Sequence, residues 1–195
     1  DCGGCNGCSR CCHGMGNSII LDPYDVYRMT TGMGKSMQEL LAASVELNVV
    51  DGVILPNLKM QGTEEACAYL DEEGRCSIHP YRPGICRLFP LGRYYENGGF
   101  SYFLQTGECA KENRSKIKVS KWIDTPDLTR NQQFTLQWHD LLHAMEERLT
   151  GEDEGKQQEE NLLLLRLFYL LPYEGTTDFY SQFTERMEYW NEQIR

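Results

Sequence analysis

Five cysteines fall within the first twelve residues, Cys2-Gly-Gly-Cys5-Asn-Gly-Cys8-Ser-Arg-Cys11-Cys12, and four more follow at 67, 76, 86 and 109. Nothing else limits the chain so strongly, because thiols at this density are either oxidised to disulfides or ligated to metal. A disulfide framework fits poorly. Nine is an odd count, the adjacent pair Cys11-Cys12 is badly placed to bridge to itself, and a chain of 195 residues that is 41% hydrophobic can build a core without cross-links. Metal ligation accounts for the spacing. Two residues between cysteines let the chain turn once and present both sulfurs to an ion about 2.3 Å away. Glycines at 3, 4 and 7 allow the positive φ that such turns use.

The spacing also bears on which metal. Three cysteines at C-x2-C-x2-C with a remote fourth is the ferredoxin way of holding a cluster. Structural zinc more often takes two paired knuckles, and the downstream cysteines are not paired: eight residues separate 67 from 76, nine separate 76 from 86, and twenty-two separate 86 from 109. An iron–sulfur cluster is therefore the first expectation, with zinc or iron ions as the alternative, since thiolate-rich sites accept both. His13 and His79 are the residues that could replace a thiolate. Arg82 and Arg87, either side of Cys86, are expected to bind the cofactor, where guanidinium donors offset the negative charge of the thiolates. Pairing with surface carboxylates is their competing role.

Two segments together resemble a known family. They are Cys5-x2-Cys8-x2-Cys11-Cys12 and Cys67-Ala-Tyr-Leu-Asp-x2-Gly-Arg-Cys76-Ser-Ile-His-Pro-Tyr-Arg-Pro-Gly-Ile-Cys86-Arg-Leu-Phe-Pro90. This pattern is similar to that of the YkgJ-type cysteine-cluster proteins, a zinc- or iron-chelating family, over about residues 5–109. The resemblance implies a metal site of eight ligands, Cys5, Cys8, Cys11, Cys12, Cys67, Cys76, Cys86 and Cys109, with Cys2 left over. Flagellin lysine N-methylase, an iron–sulfur protein, carries a related cysteine pattern. The implied function is a metalloprotein of electron transfer, redox sensing or metal handling. Its alternatives are an iron–sulfur-dependent protein-modifying enzyme, such as a protein lysine N-methyltransferase, and a zinc-stabilised protein-interaction module. Nothing in the resemblance reaches residues 121–195.

Charge separates the same two regions. The chain has 19 basic and 29 acidic side chains, and its net charge of −10 divides into −2 for residues 1–120 and −8 for residues 121–195. An acidic surface repels phosphate backbones, so no nucleic-acid partner is expected. A protein partner is expected, if anywhere, on the acidic C-terminal part. The basic group Lys111, Arg114, Lys116, Lys118 and Lys121 reads as a solvated link. No apolar run nears the 18 or so residues of a membrane span; the longest are Leu162–Leu165 and, after Arg166, Leu167–Leu171. A soluble, cytoplasmic protein is expected, with one domain over 1–195 made of a metal-binding part, 1–120, and a helical part, 121–195.

The fold class expected is α+β: small antiparallel hairpins and cysteine-rich loops packed with helices, the C-terminal third all helical. Asp22-Pro23 reads as a helix start running to about Met29, with Thr30–Lys35 ending it. Ser36-x2-Glu39 is a capping box for a second helix to about Leu47. Residues 49–105 look strand-rich. Hairpins are expected about Asp51-Gly52, about Asp71–Gly74 between Ala68–Leu70 and Cys76–Ile78, and about Asn97-Gly98-Gly99. Cys67 and Cys76 would then lie at the open end of one hairpin. From Gln132 the period becomes helical: Phe134, Trp138, Leu141, Leu142, Met145 and Leu149 make one stripe, and Phe179, Phe183, Met187, Trp190 and Ile194 another. A nearly all-apolar helix spans Leu162 to Leu171, with breaks at Gly151–Lys156 and Pro172–Thr177. His139 and His143, at i and i+4, are placed on a half-exposed polar face rather than in a zinc-hydrolase site, which would need a third ligand.

Overall fold

A computed structural model of the chain describes residues 8–109 and 115–194. It is an α+β fold of small hairpins followed by long helices. Helix α1, Pro23–Met33, opens with a reciprocal capping box in which the Asp22 side chain accepts the Asp25 N–H and Asp25 accepts that of Asp22. The helix runs one turn past the expected end, to a left-handed Gly34. Helix α2, Met37–Ala43, has the Ser36/Glu39 capping box but stops a turn short of Leu47. Residues from Val45 onward are taken by strand β1, Val45–Val50, which pairs antiparallel with β2, Val53–Leu58, across Asp51-Gly52. Both turn residues have positive φ, 50° and 82°, the conformation that a two-residue hairpin requires.

The middle of the chain departs furthest from expectation. Residues 68–70 and 76–78 do not form two strands. Instead β3, Met60–Gln61, pairs with β4, Ala66–Cys67, and Cys76 makes only an isolated bridge to Leu70. The chain between is closed by Asp71, whose Oδ1 accepts the N–H groups of Glu73 and Arg75. A short helix α3, Gly84–Leu88, carries Cys86 and precedes the hairpin of β5, Leu91–Glu96, and β6, Gly99–Leu104, which turns at Asn97-Gly98. Among the described residues the three sheets are separate two-stranded hairpins.

The C-terminal third is helical: α4, Val119–Ile123; α5, Leu128–Leu149; α6, Glu154–Leu165; and α7, Phe179–Gln193. Helix α5 starts a turn earlier than the expected Gln132, capped by Asp127, and α6 starts inside the expected break, capped by Asp153. The apolar run past Leu165 continues as one wide turn, Arg166–Leu170, closed by the Leu171 N–H on the Arg166 carbonyl at 2.9 Å. Arg186 is buried over it, donating to the carbonyls of Leu167, Leu171 and Pro172 and lying 3.6 Å from the Tyr173 ring centre. No helix among the described residues is long and apolar enough to cross a membrane.

One apolar core runs through both parts of the chain. It joins Leu21, Val26 and Met29 of the α1 region, Val45, Leu55 and Leu58 of the first hairpin, and Phe134, Trp138, Phe168, Phe183 and Trp190 of the helices. The aromatic rings meet edge to face, Phe134 with Phe183 at 4.8 Å and Trp138 with Phe168 at 5.1 Å, the arrangement their quadrupoles favour. The Tyr169 hydroxyl donates to the Leu21 carbonyl, so the helices also hold the chain just ahead of α1.

Candidate metal centre

The first cysteine loop is a short 3-10 turn, Arg10–Cys12, with the Cys12 N–H on the Ser9 carbonyl at 2.8 Å. Its exit is docked on β4: Gly14 N–H donates to the Glu65 carbonyl at 3.0 Å and His13 forms a bridge with Ala66. That pairing brings Cys12 beside Cys67, the next residue of β4. Cys76 comes in from the loop closed by Asp71, and Cys86 from α3. The four segments surround one cavity of about 1080 Å³ lined by Cys8, Cys11, Cys12, Cys67, Cys76 and Cys86. Its other wall includes Ile19, Leu58, Ile78 and Trp122. Trp122 is fixed by donating from Nε1 to the Leu88 and Phe89 carbonyls, which ties α4 to the end of α3.

The seven described cysteines are free thiols, each half-buried. Their sulfurs sense one another. The Cys12 thiol donates to the Cys11 sulfur, which brings Cys11 down to about 6 and pushes Cys12 up. Burial pushes up Cys67, Cys76 and Cys86, and neighbouring sulfurs add to it at each; at Cys86 the Asp25 carboxylate adds as well. A cavity lined this way resists filling with thiolates unless cations enter, and soft sulfur donors select zinc, iron or an iron–sulfur unit among them. The donor set therefore fits the group that the sequence implies. Among the described residues, no three cysteine, histidine or carboxylate side chains are grouped so as to hold a metal ion as they stand.

Two of the eight expected ligands are not among the six. Cys5 lies outside the described residues. Cys109 is half-buried and is not among the residues lining the cavity, although its neighbours Gly107 and Glu108 are. The two arginines part company. Arg82 lines the cavity and lowers the cost of a thiolate at Cys11 and at Cys76. Arg87 is 4% exposed and is not among the residues lining the cavity: its Nη1 donates to the Thr125 hydroxyl and its guanidinium lies 5.9 Å from the Tyr24 ring centre. His13 and His79 both line the cavity. His79 Nε2 is 2.9 Å from Arg82 Nη1, and burial followed by the Arg82 charge holds the imidazole below its usual range. His139 and His143 lie apart from the cysteines, His139 stacked on Tyr95 at 3.8 Å and His143 beside Glu147.

Sequence reasoning passed over Trp122 and Asp25. Trp122 stood in the region that the family pattern did not reach. Asp25 was half of a capping box whose other half, Asp22, alone drew notice. A family model described as "CxxCxxCC: Putative zinc- or iron-chelating domain" matches residues 4–116, a span that holds every cysteine except Cys2. No curated protein and no solved structure matches the chain.

Proposed function

Since the chain belongs to the CxxCxxCC family of zinc- or iron-chelating domains, we propose that its cysteines hold an iron–sulfur cluster and that it works in electron transfer, redox sensing or metal handling. The observation that carries this reading is that six cysteines from four separate segments line one cavity. Cys8, Cys11, Cys12, Cys67, Cys76 and Cys86 would hold the group, with Cys5 and Cys109 of the matched pattern completing eight. When bound, such a cluster supplies a redox couple whose potential follows the charge and hydrogen bonding around its sulfurs.

The rest of the site is the work of the chain. Arg82 balances thiolate charge at the mouth, and the wall of Ile19, Leu58, Ile78 and Trp122 limits the water that reaches the sulfurs. The triplet spacing, with no paired knuckles downstream, favours iron–sulfur over zinc. Purification without oxygen, followed by iron, zinc and acid-labile sulfide determination, tests the reading. A brown protein with comparable iron and sulfide is expected. A colourless protein carrying zinc alone would overturn it.

A further inference from the structure

Helix α1 contributes no cysteine, yet it holds the chain that joins two of the cysteine segments. Asp25, Arg28 and Gly32 stand at i, i+3 and i+7 and so share one face of the helix. Asp25 is 2% exposed, and its two oxygens are divided between helix and loop: Oδ2 accepts the Asp22 N–H at 3.2 Å, and Oδ1 accepts the Gly84 N–H at 2.6 Å. Arg28 donates to the Pro80 carbonyl. At Gly32 the Tyr81 ring lies so close that an added Cβ would stand 2.4 Å from both its Cδ1 and Cε1 atoms. One helix face thus touches Pro80, Tyr81 and Gly84, all between Cys76 and Cys86.

We propose that this face of α1 is a positioning clamp for the Cys76–Cys86 segment, setting where the Cys86 sulfur enters the metal cavity. The role rests on the reading of the cavity as a metal site. Its physical need is plain: α3 is only five residues long, and ligands must be held to within about half an ångström by the groups behind them. A buried carboxylate on a loop N–H is a strong, directional tie of that kind. The Tyr81 ring on Gly32 restricts the loop from the other end, because only a residue without Cβ allows that approach.

The test reads thiols one at a time. In metal-free, reduced protein, alkylation at Cys8 and Cys86 is followed by peptide mass spectrometry, and in metal-loaded protein the rate of metal loss to a chelator is measured. Asp25→Ala should speed alkylation of Cys86 about tenfold, the factor that one charge-assisted hydrogen bond corresponds to, with Cys8 unchanged. Metal loss should quicken likewise. Asp25→Asn keeps an acceptor for Gly84 and should restore much of the protection. Gly32→Ala should also loosen Cys86, although alanine is the better helix former; should Asp25→Ala fail to fold, Gly32→Ala alone decides. Variants that leave Cys86 as in the unaltered protein, or that expose every thiol equally with a lowered Tm, would overturn the clamp. If the unaltered protein binds no metal, the metal reading fails, and the alkylation pattern still decides the clamp.

Discussion

Cys86 reaches the cavity from a helix of five residues set between Pro83 and Pro90, both buried, so its sulfur has little freedom to withdraw when a neighbour changes. Cys8 stands in the loop that also carries Cys11 and Cys12. If the proposed centre uses them, removing either thiol would open a coordination position, whereas Cys2 lies outside both the eight-cysteine pattern and the matched span. Metal per chain should therefore fall in Cys8→Ser and Cys86→Ser and stay level in Cys2→Ser; loss in the last would mean that all five N-terminal cysteines are used. A second residue-scale expectation concerns Asp22, which is half-buried at the start of α1. Burial, then the Asp25 carboxylate, pushes its carboxyl up to about 8, against the Asp25 N–H, Arg93 and Arg87; Tyr95, Tyr169 and Tyr173 also face it, with their own hydroxyls raised and neutral. The folded protein thus keeps a proton that the unfolded chain releases near pH 4, so stability falls as pH rises from about 4 to 8. Asparagine is an equally good cap without the charge. Asp22→Asn should match the unaltered protein near pH 4 and exceed it by about 1–2 kcal/mol near pH 8.5 in urea denaturation, discounted for partial exposure. A constant difference at both pH values would refute the assignment. Arg82 and Arg87 show where residue-level reading stops: both flank Cys86 in sequence, but one lies on the cavity and the other against Tyr24 and Thr125.

Between elements, one polar side chain adds to the apolar join of the first hairpin with the helices. Asn161 on α6 is 4% exposed; its Oδ1 accepts the Ile54 N–H at 2.6 Å, and its Nδ2 donates to the Gly52 carbonyl at 3.2 Å and the Gln157 carbonyl at 2.9 Å. Leucine there would keep the volume and leave the Ile54 N–H and its partners unpaired. Asn161→Leu should cost about 2–3 kcal/mol in chemical denaturation, and a loss under about 0.5 kcal/mol would mean that water replaces the amide. The two hairpins at Asp51-Gly52 and Asn97-Gly98 were legible because their turn residues carry the needed positive φ themselves. The end of α2 was not, since Ser44–Leu47 has no breaker of its own; the pairing of β1 with β2 takes Val45 and Leu47 from the helix. About Asp71 the expected turn forms, but its strands shrink to a single antiparallel bridge of Leu70 with Cys76, while the neighbouring Cys67 pairs with Met60.

Across the whole molecule, the cysteine segments and the helices share one apolar core, but the aromatic centre of that core lies among α5, α7 and the turn between α6 and α7. Ligation supplies folding energy where ligands are recruited. Metal removal should therefore raise hydrogen exchange first in residues 8–18 and 66–89, while α5 and α7 keep their protection; equal loss throughout would show that the helices depend on the centre. The sequence alone determined what is written within a turn or two of chain: caps at Asp22 and Ser36, two-residue turns, the stripes of α5 and α7, and the metal chemistry implied by C-x2-C-x2-C-C. These depend on φ, ψ and hydrogen bonds between near neighbours, which residue type decides. Only the tertiary structure decided which cysteines share a cavity, which arginine faces it, and that Asp25, Asn161 and Arg186 are buried with partners. Those outcomes rest on bonds between residues far apart in the chain, 59 positions for Asp25 with Gly84 and 107 for Asn161 with Ile54. A carboxylate or amide looks like a surface residue until the packing of distant segments supplies the group that makes its burial tolerable.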